Sequence, residues 1–445
     1  MNTPICDFVR KYSKSNPLRM HMPGHKGSSF LGIEALDITE IDGADSLYGA
    51  EGIIKESEKN ASSLFGCKTF YSTEGSSQCI RAMLYLAVLH AKQNGQAPLI
   101  AAGRNAHKTF LSAAALLDFD IMWLSPQKNE SYLSCTIDAD YLERAIKNAS
   151  LKPSAVYLTS PDYLGNTADI ASLSEVCRKY GILLIVDNAH GAYLKFLENS
   201  LHPIDCGADI CCDSAHKTLP VLTGGAYLHI SEKAPSFFCE QAKKALEFFG
   251  STSPSYIIMQ SLDAANQYIY NGYSEKLSEY ISMIYLLKEK LATKGYILYG
   301  NEPLKLTIET KPYGYLGYDF AKLLEEKNIV CEFCDPDYIV MMLSPENGPE
   351  GLNILEKVLL EIPKKDKIIA PPPPFAFCQK KLTVREALMS DSENIPVSES
   401  EGRILAASSV SCPPAVPIVI CGEQITKEAA KAFKYYGIKE CLVVK

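Results

Sequence analysis

The run DSAHKTLP, Asp213 to Pro220, sets a lysine beside a histidine in a small polar loop, after the apolar run ADICC and before the glycine pair of LTGGAYLHI. Most lysines in such loops are solvated surface charges. An amine held in a cleft is different, because desolvation and nearby cations lower its pKa until it can attack a carbonyl and form a Schiff base. Three other residue groups fit that chemistry. Asp187 closes the apolar run ILLIVD thirty positions before Lys217, as a carboxylate facing a pyridine nitrogen would. His107 follows the run PLIAA and is a planar group able to stack on a ring. Gly75-Ser76-Ser77 opens a long helical stretch starting near Gln78, and small residues at a helix N-terminus cradle phosphate. An aldehyde, a protonated pyridine and a phosphate together describe pyridoxal phosphate, PLP. Each residue also has an ordinary reading: a capping aspartate, a histidine satisfied by the backbone, a polar loop.

These residues need strand ends to hold them. Between about residues 55 and 230, short β-rich runs alternate with stretches of helical period. KESEKNASSLFG predicts a helix closed by Gly66, and SSQCIRAMLYLAVLHAKQNG a long one closed by Gly95. PLIAA is strand-like, Lys108 to Leu117 helical, IMWLS extended, Ile137 to Asn148 helical, SAVYLTSP a strand, ASLSEVCRKYG a helix and ILLIVDNAH a strand. Strands apolar on both faces and separated by helices predict a parallel sheet covered on both sides. Ligands bind at the carboxyl ends of such strands, where YSTEGSS, GRNAHK, TSPDYLG, VDNAHGAY and CDSAHKT lie. Further on, Lys276 to Lys294 reads as a long helix and Leu304 to Ile362 as a small α/β unit with a helix near Tyr318 to Lys327. The four prolines Pro371 to Pro374 mark a stiff linker before a compact appendage. The expected division is an N-terminal arm at 1–50, a large domain at 51–275, a small α/β domain at 276–370 and a C-terminal domain at 371–445.

Composition excludes other classes. A chain of 445 residues, 47% hydrophobic and 22% charged, buries a large core. Its net charge of -8, with both signs interspersed, gives no broad basic surface for nucleic acid. The N-terminal MNTPICDFVRKYSKSN is too charged for a signal peptide, and no stretch approaches the roughly 18 apolar residues of a membrane span, so a cytoplasmic protein is expected. The fifteen cysteines then read as small buried apolar residues. Cys331 and Cys334 form a CxxC with no second pair or nearby histidines to complete a zinc site, so no metal is expected.

Longer stretches carry a resemblance. LRMHMPGHKGS at Leu18 to Ser28, DITEIDGADSL at Asp37 to Leu47, GRNAHKT at Gly103 to Thr109, TSPDYLG at Thr159 to Gly165, DNAHGAY at Asp187 to Tyr193, SAHKTLPVLTGGAYLH at Ser214 to His229 and STSPSYIIMQSLDAA at Ser251 to Ala265 resemble the Orn/Lys/Arg decarboxylases of PLP fold type I, in their short bacterial form without an N-terminal wing. KKLTVREAL, EGRILAA and PPAVPIVICGE are similar to that family's C-terminal domain. The resemblance implies an aspartate-aminotransferase-like α/β large domain, a small α/β domain and a C-terminal α+β appendage. It implies that Lys217 holds PLP as a Schiff base, with Ser214 and His216 close to the phosphate. It further implies that Asp187 pairs with the pyridinium nitrogen, His190 lies near the phenolic oxygen, His107 stacks on the ring, and Ser76 and Ser77 bind phosphate. A homodimer or tetramer with active sites at the subunit interface is implied too, with Ser251 to Tyr256 contributing across it.

The chain differs from the family's common pattern at Asn188, where glutamate is usual, at Tyr193, where histidine is usual, and at Gly224, where glutamine is usual. Glu74-Gly75 stands in place of Asn-Gly. The implied reaction removes carbon dioxide from arginine, or else lysine or ornithine, and feeds polyamine synthesis. Rival readings are another PLP reaction such as transamination, or a PLP-binding homologue without activity. Many aminotransferases clamp the substrate carboxylate with a bidentate arginine, and this chain has none between Arg178 and Arg385, which favours a reaction in which the carboxylate leaves.

Overall fold

The runs PLIAA, IMWLS, SAVYLTSP and ILLIVDNAH, expected as strands, form strands. The computed structural model describes residues 1–126, 132–408, 411–412 and 416–445, and contains β1 (Lys68–Ser72), β2 (Leu99–Gly103), β3 (Asp120–Leu124), β4 (Ala155–Thr159), β5 (Leu183–Asp187), β6 (Ile210–Asp213) and β7 (Ala226–Ile230). The chain divides into two units, one of Met1–Gln93 with Leu183–Lys276, the other of Asn94–Ile182 with Leu277–Lys445.

In the first unit the strands lie in the order β1-β7-β6-β5. β5 runs parallel to β6, while β7 is antiparallel to both β6 and β1. Every residue of β5, β6 and β7 is buried, which is why these segments lack the alternation of a half-exposed strand. The helix Gly75–Gln93 is buried on most of its circumference, from Gln78 and Cys79 to Ala91. The first helix, Pro4–Lys14, buries Ile5, Cys6 and Val9, and the Cys6 N–H donates to Asp263 Oδ2 at 3.0 Å on the helix Tyr256–Tyr270. The arm between them is mostly irregular. It is pinned by Arg19, whose guanidinium donates to the carbonyls of Glu34, Ala35 and Asp37, yet it leaves Leu18, Met20, Met22, Phe30 and Leu31 largely exposed.

In the second unit β2 pairs in parallel with β3 on one side and β4 on the other. A separate antiparallel sheet holds β8 (Ile297–Tyr299), β9 (Lys305–Glu309), β10 (Phe333–Cys334) and β11 (Tyr338–Met342) in the order β10-β11-β9-β8. Helices Gly317–Glu325 and Gly348–Glu361 accompany it. Residues 363–378, prolines included, have no regular structure. The segment after them builds helices Val384–Met389 and Lys427–Tyr435 around Ile395, Leu405, Ile418, Val419, Phe433 and Val443. Pro413 to Ala415, the start of the PPAVPIVICGE resemblance, lie outside the described residues.

Several helix boundaries differ from expectation. The long helix starts at Gly75, so Gly75 to Ser77 are its first turn and not a loop before it. Asp138 caps the helix Ala139–Asn148 by accepting from the Tyr141 N–H at 2.6 Å, which leaves Ile137 outside. The helix expected at Lys276 begins at Tyr273, and the one near Tyr318 to Lys327 spans Gly317–Glu325. Among the described residues no cysteine is in a disulfide, and no helix is long and apolar enough to cross a membrane.

Candidate active site

Three loops at strand ends of the first unit gather most of the predicted residues. Lys217 sits in a one-turn helix, Ala215–Thr218, immediately beyond β6, and its Nζ lies 3.1 Å from His190 Nε2 in the loop after β5. Lys217 is half-buried and His190 is buried. Asp187 is the last residue of β5, opposite Cys212 in the parallel register, and is 2% exposed. Its Oδ1 accepts from the Ala189 N–H at 3.2 Å, a turn bond that fixes the carboxylate at the strand end. Ser214 Oγ donates to Ser76 Oγ at 2.8 Å, so the residue after β6 meets the first turn of the helix Gly75–Gln93. Ser77 follows in that turn. His216 is drawn away from this pair: its Nδ1 and its backbone N–H both face the carbonyl of Gly225, at 3.0 and 3.2 Å. Burial holds its imidazole below the usual histidine pKa, so it stays neutral.

His107 belongs to the second unit. It is the N-cap of the helix Lys108–Leu117, with Nδ1 accepting from the Thr109 N–H at 3.2 Å and lying 2.9 Å from the Thr109 hydroxyl. Those bonds fix the ring plane of a half-buried side chain. Three residues earlier, Arg104 makes a buried bidentate pair with Glu423, at 2.7 and 3.2 Å, and lies over the rings of Trp123 and Phe375 at 5.4 Å from each. Sequence reading did not find this clamp, because its two halves come from opposite ends of the chain.

The positions that depart from the family pattern have structural explanations. Asn188 is fully buried and donates to Asp213 Oδ1 at 2.7 Å, so it faces the strand and not a substrate. Gly191 makes room for it, since a Cβ there would fall 2.0 Å from Asn188 Oδ1. Tyr193 is fully buried as well. Gly224 adopts φ +99°, and a Cβ there would stand 2.9 Å from the carbonyl oxygen of Thr73. Its own carbonyl accepts from the Gly75 N–H at 2.7 Å, tying this turn to the start of the long helix. Glu74 turns its carboxylate to the backbone N–H of Ser251, which removes a negative charge from the hydroxyl pair. Ser253 to Tyr256, Met22, Pro23 and Asp37 to Glu40 line a cavity of about 380 Å³.

The donor set suits PLP: an amine able to form a Schiff base, a buried carboxylate, and hydroxyls at the positive end of a 19-residue helix. It does not suit a metal. Among the described residues one grouping, His202, Cys211 and Asp213, brings three ligand atoms within 4.8 Å. The imidazole and carboxylate already satisfy each other by a hydrogen bond of 3.2 Å, and burial pushes the Cys211 thiol far above its usual pKa, away from the thiolate a metal would need.

Comparison with known proteins gives the fold and the family. The crystal structure of the Francisella novicida lysine decarboxylase LdcF superposes over 100% of this chain and 81% of its own, with a TM-score of 0.78 at 18% identity. The constitutive lysine decarboxylase of Escherichia coli gives 0.78 over 100% of this chain and 82% of its own, at 17% identity. The fold is therefore the α/β fold of PLP fold type I enzymes. The sequence matches the Orn/Lys/Arg decarboxylase major domain over residues 3–300 and the Orn/Lys/Arg decarboxylase C-terminal domain over 372–442, and the chain belongs to the Orn/Lys/Arg decarboxylase family. It is an amino-acid decarboxylase of that family. An arginine decarboxylase of Bacillus subtilis is 29% identical over 96% of this chain and 92% of its own length. The uncharacterized protein YaaO of the same organism is 30% identical over 97% and 93%.

Proposed function

We propose that this decarboxylase uses PLP and converts arginine, ahead of lysine or ornithine, to its amine and carbon dioxide, an entry to polyamine synthesis. The observation that carries the reading is the meeting of Lys217 Nζ with His190 at 3.1 Å, one strand from the buried Asp187. The preference for arginine rests on the relatives named arginine decarboxylase.

Lys217 would anchor the cofactor covalently, Asp187 would hold the pyridine nitrogen protonated, and Ser76, Ser77 and Ser214 would receive the phosphate. His216 would lie near the phosphate, His190 near the phenolic oxygen, and His107 would stack on the ring. Bound PLP supplies an electron sink for whichever substrate bond lies perpendicular to its ring. The chain's own part is orientation: it must hold the carboxylate perpendicular and exclude water, and no arginine of residues 179–384 is available to retain that carboxylate. His190, 3.1 Å from Lys217, is placed to exchange a proton with that amine.

We further propose that the large, small and C-terminal domains divide near residues 275 and 370, and that the enzyme is a homodimer or tetramer with active sites at the subunit interface. The arm's exposed apolar residues support self-association. The absence of disulfides among the described cysteines is in keeping with a reducing cytoplasm.

The test is an assay of purified, PLP-loaded protein with arginine, lysine and ornithine in parallel, following carbon dioxide and the amine. Agmatine as the main product supports the reading; cadaverine or putrescine would move the substrate within the class. Silence with all three, in protein whose spectrum shows bound cofactor, would overturn it.

A further inference from the structure

Behind the loops that carry Lys217 and Asp187 lies a buried polar network that the reaction does not consume. Asp213, the last residue of β6, is 0% exposed. Its Oδ2 faces His202 Nε2 at 3.2 Å and His229 Nε2 at 3.1 Å, and its Oδ1 accepts from Asn188 Nδ2 at 2.7 Å. His229 Nδ1 lies 2.9 Å from the hydroxyl of Thr69. The chain of bonds thus crosses the whole strand order of the first unit, from Thr69 on β1 through His229 on β7 and Asp213 on β6 to Asn188 just beyond β5. An ionised carboxylate needs such partners when fully buried. Burial alone would raise the Asp213 pKa, but the two imidazoles outweigh it and hold the carboxylate well below its usual range, so Asp213 is charged. Burial keeps the His229 imidazole below its usual pKa, so it is neutral, with Nε2–H donating to Asp213 and Nδ1 accepting from Thr69.

The placement gives this charge a purpose. Asn188 adjoins Asp187, and Asp213 adjoins Ser214 at the base of the turn that ends in Lys217. A backbone bond, Asn188 N–H to the Cys212 carbonyl at 3.0 Å, runs beside the side-chain one. We propose that Asp213 is a positioning residue: its carboxylate, gripped by His202, His229 and Asn188, sets the spacing between the strand end that bears Asp187 and the turn that bears Ser214 and Lys217. The inference rests on the reading of Lys217 and Asp187 as the cofactor pair. It also explains the asparagine at position 188, because the amide donates to Asp213, whereas a glutamate there would set a second carboxylate against it in the same buried network.

Three variants test it, each read by cofactor retention on dialysis, by kcat and KM, and by Tm. In Asp213→Asn the new amide can still accept from both imidazoles, and it can donate to Asn188 once that amide rotates, so the hydrogen bonds survive and only the charge is lost. We expect kcat to fall about tenfold or more with KM within about twofold, together with faster loss of PLP, as a displaced catalytic group produces. Asn188→Asp alone opposes two carboxylates across 2.7 Å and should be the worst in all three readouts. The double variant Asn188→Asp/Asp213→Asn moves the charge across the same bond and restores every donor and acceptor, and it should recover most of the kcat and cofactor retention lost in Asn188→Asp. Wild-type kcat and retention in Asp213→Asn would overturn the proposal while leaving the active-site reading intact. So would a double variant that regains Tm but not kcat or retention. Wild-type protein that takes up no PLP would instead overturn the reading of the site, and the positioning role with it.

Discussion

At the scale of single residues, the proposed chemistry rests on Lys217 and Asp187. Lys217→Ala should abolish both the absorbance of bound cofactor and turnover, since it removes the amine proposed to anchor PLP; unchanged activity would remove the lysine from the mechanism. Asp187→Ala should keep some PLP while kcat falls by at least about a hundredfold, because on the proposed reading the ring nitrogen would lose the partner that keeps it charged. Both residues were legible in the sequence because their types follow apolar runs; Asp187 does end β5 and Lys217 does follow β6, whereas His190 and Ser214 were reached only through the family resemblance. The Asp213 network was not legible. Thr69 and His229 are 160 positions apart, and nothing in spacing tells which histidine an acid will meet once strands pair across the sheet. The only trace was an aspartate ending the apolar run ICCD.

At the scale of elements, PLIAA, IMWLS and SAVYLTSP were readable to within a residue or two and ILLIVDNAH to within three, because strands of a covered sheet leave apolar runs. Helix starts were less so, since a cap is a matter of one side chain reaching one N–H, as Asp138 does for Tyr141. Gly224 shows how a turn governs the site. Gly224→Gln, the family's usual residue, would force a side chain onto φ +99° and against the Thr73 carbonyl. We expect a loss of about 1–2 kcal/mol, seen as a lower Tm, and weaker PLP retention as the turn pulls away from Gly75. A Tm equal to wild type would show that the loop relaxes without strain.

At the scale of the molecule, two properties follow from burial. Leu18, Met20, Met22, Phe30 and Leu31 are 70–88% exposed on an arm that Arg19 holds in place. Phe30→Ser/Leu31→Ser should therefore shift sedimentation towards the monomer and lower kcat, if the arm completes a neighbouring active site; a variant of unchanged mass and rate would exclude the arm from assembly. The second property is pH dependence. Asp335 is 0% exposed, its Oδ2 has no partner among the described residues, and burial pushes its carboxyl up to about 7. The unfolded chain releases that proton near pH 4 while the folded chain keeps it, so this group's contribution to stability falls as pH rises from about 4 to about 7 and is level above. Asp335→Asn should raise Tm by a few degrees at pH 8 and remove that slope from the wild-type-minus-variant difference.

The clamp between Arg104 and Glu423 also fixes when this protein can finish folding. Glu423 is added to the chain 319 residues after Arg104. At roughly 5–20 residues per second, a ribosome needs between about 16 and 64 seconds to cover that distance. Until then the guanidinium has no carboxylate to accompany it into the interior and stays in water. The segment that carries His107 therefore settles late, close to release of the finished polypeptide, and a ribosome stalled before residue 423 holds a chain whose arginine is still waiting outside.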